Sequence, residues 1–266
     1  MKIGTVSFEV RGDYLSMAQP SRVRSEALRG ILKNFGPDLL VCAGFTLDRT
    51  DELDELQDYV TRNNVSTDII IEARNASEKS IDSMKHELYQ IKRGQPKRFL
   101  GRQCFVTSEQ ARDQENVQQL ETQTAQRSTS ITTGTKHLGA FSLMCGEINV
   151  IGGSGQDIKC RSCPIENALL NSDIIINPTH DRMSNHGILK GKRQWLSQAV
   201  NGRNRIYVSS SNWNTDKAAL NSDRRFSQTA QASTLHTVYM SGCQQELTRK
   251  PDPKGFYEYR QCFVDL

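Results

Sequence analysis

The chain has 266 residues, 36% hydrophobic and 24% charged, long enough to bury a substantial core in one large domain or two small ones. No apolar run approaches the roughly 20 residues that cross a bilayer. A formal charge of +4, with a pI near 8.7 and mean hydropathy of −0.59, is too mild to imply nucleic acid. MKIGTVSFEV opens directly on a strand pattern and lacks the apolar segment of a secretory leader. Seven cysteines, an odd count spread over positions 42, 104, 145, 160, 163, 243 and 262, read as reduced thiols. The expectation is a cytoplasmic chain with no membrane partner.

Lys2 to Phe8 alternates and is β-branched enough for a first strand. Ser21 to Phe35 carries Val23, Ala27, Leu28, Ile31 and Leu32 at helical spacing, and Gly36-Pro37 ends it. A buried strand over Asp38 to Ala43, a helix over Glu52 to Val60 and a strand over Asp68 to Glu72 complete a β-α-β-α-β unit, the pattern of a sheet covered by helices. Glu87 to Val106 predicts a hairpin about Gly94-Gln95-Pro96. Gln110 to Lys136, rich in Gln, Thr and Ser, has little periodicity and predicts a long surface loop. A central strand then runs from Leu138 into Cys145. After the glycine-rich GGSGQ come a helix over Pro164 to Leu170, a strand over Asp173 to Asn177, a helix over Lys192 to Asn201 and a strand over Arg205 to Ser211. Thr234 to Met240 and Tyr257 to Leu266 close the chain as strands. No repeat, heptad or linker divides it, so one domain over 1–266 is expected.

The chemistry concentrates at Cys145-Gly146-Glu147. An apolar run that stops at a small reactive residue followed by glycine is what a sharp strand-end turn needs. Such a turn would hold the thiol beside a freed backbone N–H, where an oxyanion could form. The alternative is an ordinary buried cysteine. Cys160 and Cys163, followed by His180 and His186, have the order of a zinc site, against two exposed loop thiols and two solvent-facing histidines. Lys92, Arg93, Lys97, Arg98 and Arg102 form one basic cluster and Lys190, Lys192, Arg193, Arg203 and Arg205 another; both read as solvated faces, and a nucleic-acid partner is not expected. GGSGQ lacks the Lys-Ser/Thr of a phosphate loop.

Several pieces recur in a familiar order: Leu143-Met144-Cys145-Gly146-Glu147; SDIIINPTHDRM, with its Asn177-Pro178; Arg193-Gln194-Trp195; Asn204-Arg205-Ile206-Tyr207-Val208, followed by Asn212; and the terminal Phe263-Val264-Asp265-Leu266. Together they resemble the nitrilase superfamily of carbon–nitrogen hydrolases over nearly the whole chain. The resemblance implies a four-layer α-β-β-α sandwich, a homodimer, no cofactor and no metal. It also implies a Glu-Lys-Cys triad acting on a small non-peptide amide or nitrile. In that chemistry the Cys attacks the amide or nitrile carbon, the Glu is general base and the Lys steadies the charged intermediate.

Cys145 matches the nucleophile, and Gly146, Glu147, His180 and Asn212 are candidates to bind the substrate or its oxyanion. The family's base position falls on Gly44 and its lysine on Arg102, while Glu109 lies near the place of a second family glutamate. Since the strand ending in Glu72 should neighbour the one ending in Gly44, Glu72 or Glu109 is the candidate carboxylate, with Arg102 or Lys97 as the cation. A solvated strand-end acid is the alternative for Glu72. The competing functional reading is a catalytically degenerate homologue that binds a ligand or partner without turning it over.

Overall fold

Ten residues of alternating character, Lys2–Arg11, form β1, the strand about which the first sheet is laid. The computed structural model describes residues 1–11, 16–74, 86–180, 187–214, 235–250, 252 and 254–266. After β1 come β2 (Ser16–Met17), α1 (Ser21–Phe35), β3 (Leu39–Cys42), α2 (Asp51–Arg62), β4 (Asp68–Arg74), β5 (His86–Ile91) and β6 (Arg98–Arg102). The middle of the chain forms α3 (Gln114–Thr122), α4 (Thr124–Arg127), β7 (Ser128–Thr133), β8 (Lys136–Ser142), β9 (Ile151–Gly152) and β10 (Lys159–Cys160). Then follow α5 (Cys163–Leu170), β11 (Ile174–Thr179), α6 (Gly187–Ser197), β12 (Ile206–Ser211) and β13 (Trp213–Asn214). The last strands are β14 (His236–Met240), β15 (Cys243–Gln244), β16 (Thr248–Lys250) and β17 (Tyr257–Phe263).

One sheet has the order β16-β17-β1-β3-β4-β5-β6, with β2 and β13 added to β1; the other runs β15-β14-β12-β11-β8-β7. Within them β1, β3 and β4 are parallel, as are β8, β11 and β12. Strand side chains alternate between faces, and the burial follows that period. Leu40 and Cys42 pack outward under α1 and α2 with Leu28, Ile31 and Leu56. Their neighbours Leu39 and Val41 point inward and meet Met144, Ile174, Ile176 and Val208 of the second sheet. That sheet's outer face, with Phe141, Leu143, Ile175 and Tyr207, is covered by Leu120, Ile165, Leu169 and Leu196 from α3, α5 and α6. The result is the α-β-β-α sandwich.

Three expectations change. Gln110 to Lys136 holds α3, α4 and β7 instead of a loop. Its signal is weak because only Ala111, Val117 and Leu120 reach the core from the helical part, and β7 is an edge strand of Ser and Thr. Asp113 starts α3 by accepting the Glu115 N–H at 2.8 Å. The helix expected over Lys192 to Asn201 lies earlier, as α6, and the strand before Cys145 ends at Ser142. Cys145 itself opens a 3-10 turn over Cys145–Val150.

Candidate active site

Parallel strands present their carboxyl ends on one edge of each sheet, where open α/β folds place their sites. Here those ends carry Gly44 after β3, Glu72 on β4, Cys145 after β8 and His180 after β11.

The thiol is placed by its turn. The Leu143 N–H donates to the Ile176 carbonyl at 2.8 Å, and the Asn177 amide donates to the carbonyls of Leu143 (3.1 Å) and Cys145 (3.4 Å). Tyr207 Oη donates in turn to Asn177 Oδ1 at 3.0 Å, and the buried Arg193 guanidinium lies 5.8 Å from the Tyr207 ring centroid. Glu147 closes the turn from inside. Its carboxylate accepts the N–H of Met144 and of Cys104, both at 2.7 Å, and two Arg127 nitrogens at 2.6 and 3.0 Å. Both side chains are fully buried. Glu147 is therefore occupied in fixing the Cys145 turn, with its carboxylate committed to Arg127 and backbone donors. Gly146 is glycine for a reason other than backbone angle: an added Cβ would stand 2.5 Å from Val106 Cα and collide with its carbonyl. The segment after β6 crosses directly over it.

Beside the thiol stands a buried acid–base pair. His180 Nε2 is 2.6 Å from Glu72 Oε1, across 108 residues of sequence, and Cys145 stands near enough for its charge to act on the His180 ring. With Nε2 on the carboxylate, Nδ1 is the nitrogen left to serve the sulfur. Burial pushes His180 toward its neutral form, but the charges of Glu72 and then Cys145 outweigh it and hold its pKa well above the ordinary value. Glu72 has no exposed surface, so the solvated reading of this strand-end acid does not hold. Gly44 makes the arrangement possible, because a Cβ there would collide with His180 Cδ2 and lie 3.0 Å from its Cα. The space beside Gly44 is thus empty of its own side chain, and a histidine from the opposite sheet fills it.

The other candidates lie elsewhere. Register puts Glu72 opposite Leu88 on the inter-sheet face, whereas Ala73, Glu87 and Arg102 share the outer face. Accordingly Arg102 pairs with Glu87 at 2.9 Å, half exposed, and Lys97 pairs with Asp54 at 2.6 Å. One residue of strand parity separates Arg102 from the site. Glu109 is exposed, just before the turn Gln110–Arg112. Asn212 is fully buried, donating to the Gly44 carbonyl at 2.7 Å and accepting the Phe8 N–H at 3.0 Å, so it braces the β3 end and does not line a substrate surface. Cys163 is exposed and Cys160 half-buried; His180 is committed to Glu72, and His186 lies outside the described residues. Among the described residues no three metal-ligating side chains converge. No described helix is long and apolar enough to cross a membrane. Sequence reading missed Arg127, hidden in the polar stretch, and Phe45, whose ring lies on that of His180. It placed Glu72, Cys145 and His180 on the right strand ends, although His180 entered as a substrate contact and not as the partner of the carboxylate.

No protein-family model matches the chain, and no curated protein does. Solved structures do. The NitN amidase of Nesterenkonia sp. AN1 matches over 100% of this chain and 93% of its own, with 6% identity and a TM-score of 0.53. A mutant of that amidase bearing acrylamide added at its active-site cysteine matches at 8% identity over the same shares, with a TM-score of 0.53. A further mutant, described as from the nitrilase superfamily, matches over 98% of this chain and 90% of its own, at 6% identity and a TM-score of 0.51. At such identities the likeness speaks for architecture alone: the chain has the fold of a nitrilase-superfamily amidase.

Proposed function

We propose that the chain is a carbon–nitrogen hydrolase that cleaves a small non-peptide amide through Cys145, with His180 as proton carrier and Glu72 as the group that orients and charges it. The observation that carries this reading is the buried Glu72–His180 pair, 2.6 Å apart at the strand ends, with Cys145 close enough for its charge to act on the imidazole. Nucleophile, base and orienting acid in hydrogen-bond sequence are the general requirement of covalent acyl transfer. The Cys145 sulfur, its proton already taken up by His180, attacks the amide carbon. His180 returns that proton to the departing amine as the C–N bond breaks, leaving a thioester. Water, deprotonated by the same imidazole, then releases the acid and restores the thiol. A positioned proton carrier of this kind contributes about 10²–10⁴-fold.

Amides are the natural first probes, since the structural neighbours are amidases and one holds acrylamide at its cysteine. The test is ammonia release from acrylamide, butyramide and acetamide, with acyl-enzyme sought by intact mass. Release that is lost in Cys145→Ala and His180→Ala is expected. A second reading, a binding protein without turnover, draws on Gly44 at the family's base position and on the commitment of Arg102 to Glu87. Ligand stabilisation of the fold without ammonia or acyl-enzyme would favour it. A homodimer in the cytoplasm is part of the proposal by resemblance, and light scattering of the purified chain tests the dimer.

A further inference from the structure

The residue after Gly44 adopts a backbone that its side chain disfavours. Phe45 has φ of 57°, in the left-handed region that a bulky residue enters only when its surroundings compel it. The compulsion is visible on both sides. The Gly44 N–H donates to the Thr179 carbonyl at 2.9 Å, and the Leu47 N–H donates to the Glu72 carbonyl at 3.2 Å. The Thr46 hydroxyl turns back to the Ala43 carbonyl at 2.5 Å, and Arg24 Nε donates to the Thr46 carbonyl at 2.8 Å. Held so, Phe45 touches both members of the acid–base pair. Its N–H donates to Glu72 Oε1 at 3.3 Å, the same oxygen that meets His180 Nε2. Its buried ring lies flat on the imidazole, centroids 4.0 Å apart and planes 13° from parallel.

We infer that Phe45 is a positioning residue for His180, an inference that rests on His180 serving Cys145. A histidine ring can turn about its terminal torsion and exchange a nitrogen for a carbon at any given point. Phe45 covers one face of the imidazole, and the Gly44 backbone stands against its Cδ2 edge. Between them the ring keeps one orientation, with Nε2 on Glu72 and Nδ1 toward the sulfur. The aromatic face also favours the charged imidazolium over the neutral ring. The left-handed backbone is what brings the N–H and the ring of one residue to bear on carboxylate and imidazole together.

The test uses the full chain and reads the alkylation rate of Cys145 with iodoacetamide by peptide mass mapping between pH 5 and 9. His180→Ala should lower the rate at pH 7 by about tenfold or more, and Phe45→Leu should do the same, since small displacements of a proton carrier are costly. Phe45→Tyr keeps the ring and should stay within about twofold. Phe45→Gly is the second variant: it suits the left-handed backbone but removes the ring, so its alkylation rate should fall with that of Phe45→Leu when both are compared at a temperature well below their lowered melting points. Wild-type rates and pH profile in Phe45→Leu and Phe45→Gly, alongside a loss in His180→Ala, would overturn the inference and leave the histidine reading standing. A wild-type rate in His180→Ala would take both down.

Discussion

Arg127 and Glu147 offer the sharpest test of how the nucleophile turn is held. Both side chains are fully buried, and Glu147 depends on two Arg127 nitrogens and two backbone N–H groups for its partners. In Arg127→Met the backbone donors remain, but the carboxylate is left buried and uncompensated. Breaking a buried pair from one side costs about 3–5 kcal/mol. At about 2.1 cal/mol/K per residue, unfolding of 266 residues carries roughly 0.56 kcal/mol/K, so the melting temperature should fall by about 5–9 °C. Arg127→Met combined with Glu147→Gln removes the stranded charge while keeping an acceptor for one backbone N–H. It should be more stable than Arg127→Met alone, although two single losses that simply added would make it worse. Scanning calorimetry at pH 7.5 on the four proteins measures this directly. A melting temperature for Arg127→Met within 1–2 °C of wild type, or strict additivity in the double variant, would refute the argument that the turn is pinned by a coupled buried pair.

Three further outcomes are expected. Gly44→Ala puts a methyl into the space of the His180 ring, and the alkylation rate of Cys145 should drop by about tenfold or more; unchanged labelling would mean that His180 does not need that space. Glu72→Gln keeps shape but removes the larger of the two charges that hold the His180 pKa up, so burial should bring that pKa down from its raised value. Imidazole NMR titration reads this, and an unshifted titration would contradict it. In the wild type the raised pKa stabilises the fold below pH ~6.5, and that contribution fades as pH climbs through the folded-state value; Glu72→Gln should weaken this alkaline fade. His236 is the opposite case. Burial, then Arg260 and Arg249, lower its pKa to about 3; Glu258, 3.7 Å away, does not offset this because it is held by Arg260 at 2.6 Å. The folded state therefore binds fewer protons than the unfolded, and stability should fall by about 2 kcal/mol between pH 7.5 and 5 on account of this group. His236→Gln, which can still meet Thr5 and Ser7, should show a shallower fall in urea midpoint; an identical pH slope would rule the group out.

Much of the architecture was legible because its strands are short apolar runs bounded by Gly, Pro and Asn. The strand ends bearing Glu72, Cys145 and His180 could be listed from sequence for the same reason. Their grouping could not. Glu72 and Arg102 are both polar strand residues, and only the pairing register, with its irregularity between Leu88 and Tyr89, tells which face each takes. Gly44 was read as a loss, since sequence shows a missing side chain but not the ring that occupies its place. The stretch from Gln110 to Lys136 hid Arg127 because a segment needs few apolar residues when it packs one helical face and an edge strand onto a finished core. Gly146 was legible as a requirement, but its cause was the crossing of Val106, forty residues away in neither motif nor pattern.

The carboxylate and the imidazole belong to different sheets, with Cys145 alongside His180 on the second. That division has a consequence during synthesis. The strands carrying Glu72 emerge and can pair long before β11 exists, and β8 and β11 can align before the two sheets meet. At every stage short of docking, His180 lacks the carboxylate that charges it. On the proposed reading, a nascent or partly opened chain has the imidazole near the sulfur but lacks the Glu72 carboxylate that orients and charges it, so full reactivity arrives only with the closing of the sandwich. Time-resolved labelling of Cys145 during refolding would therefore report the moment at which the two sheets close, and would do so from a single atom.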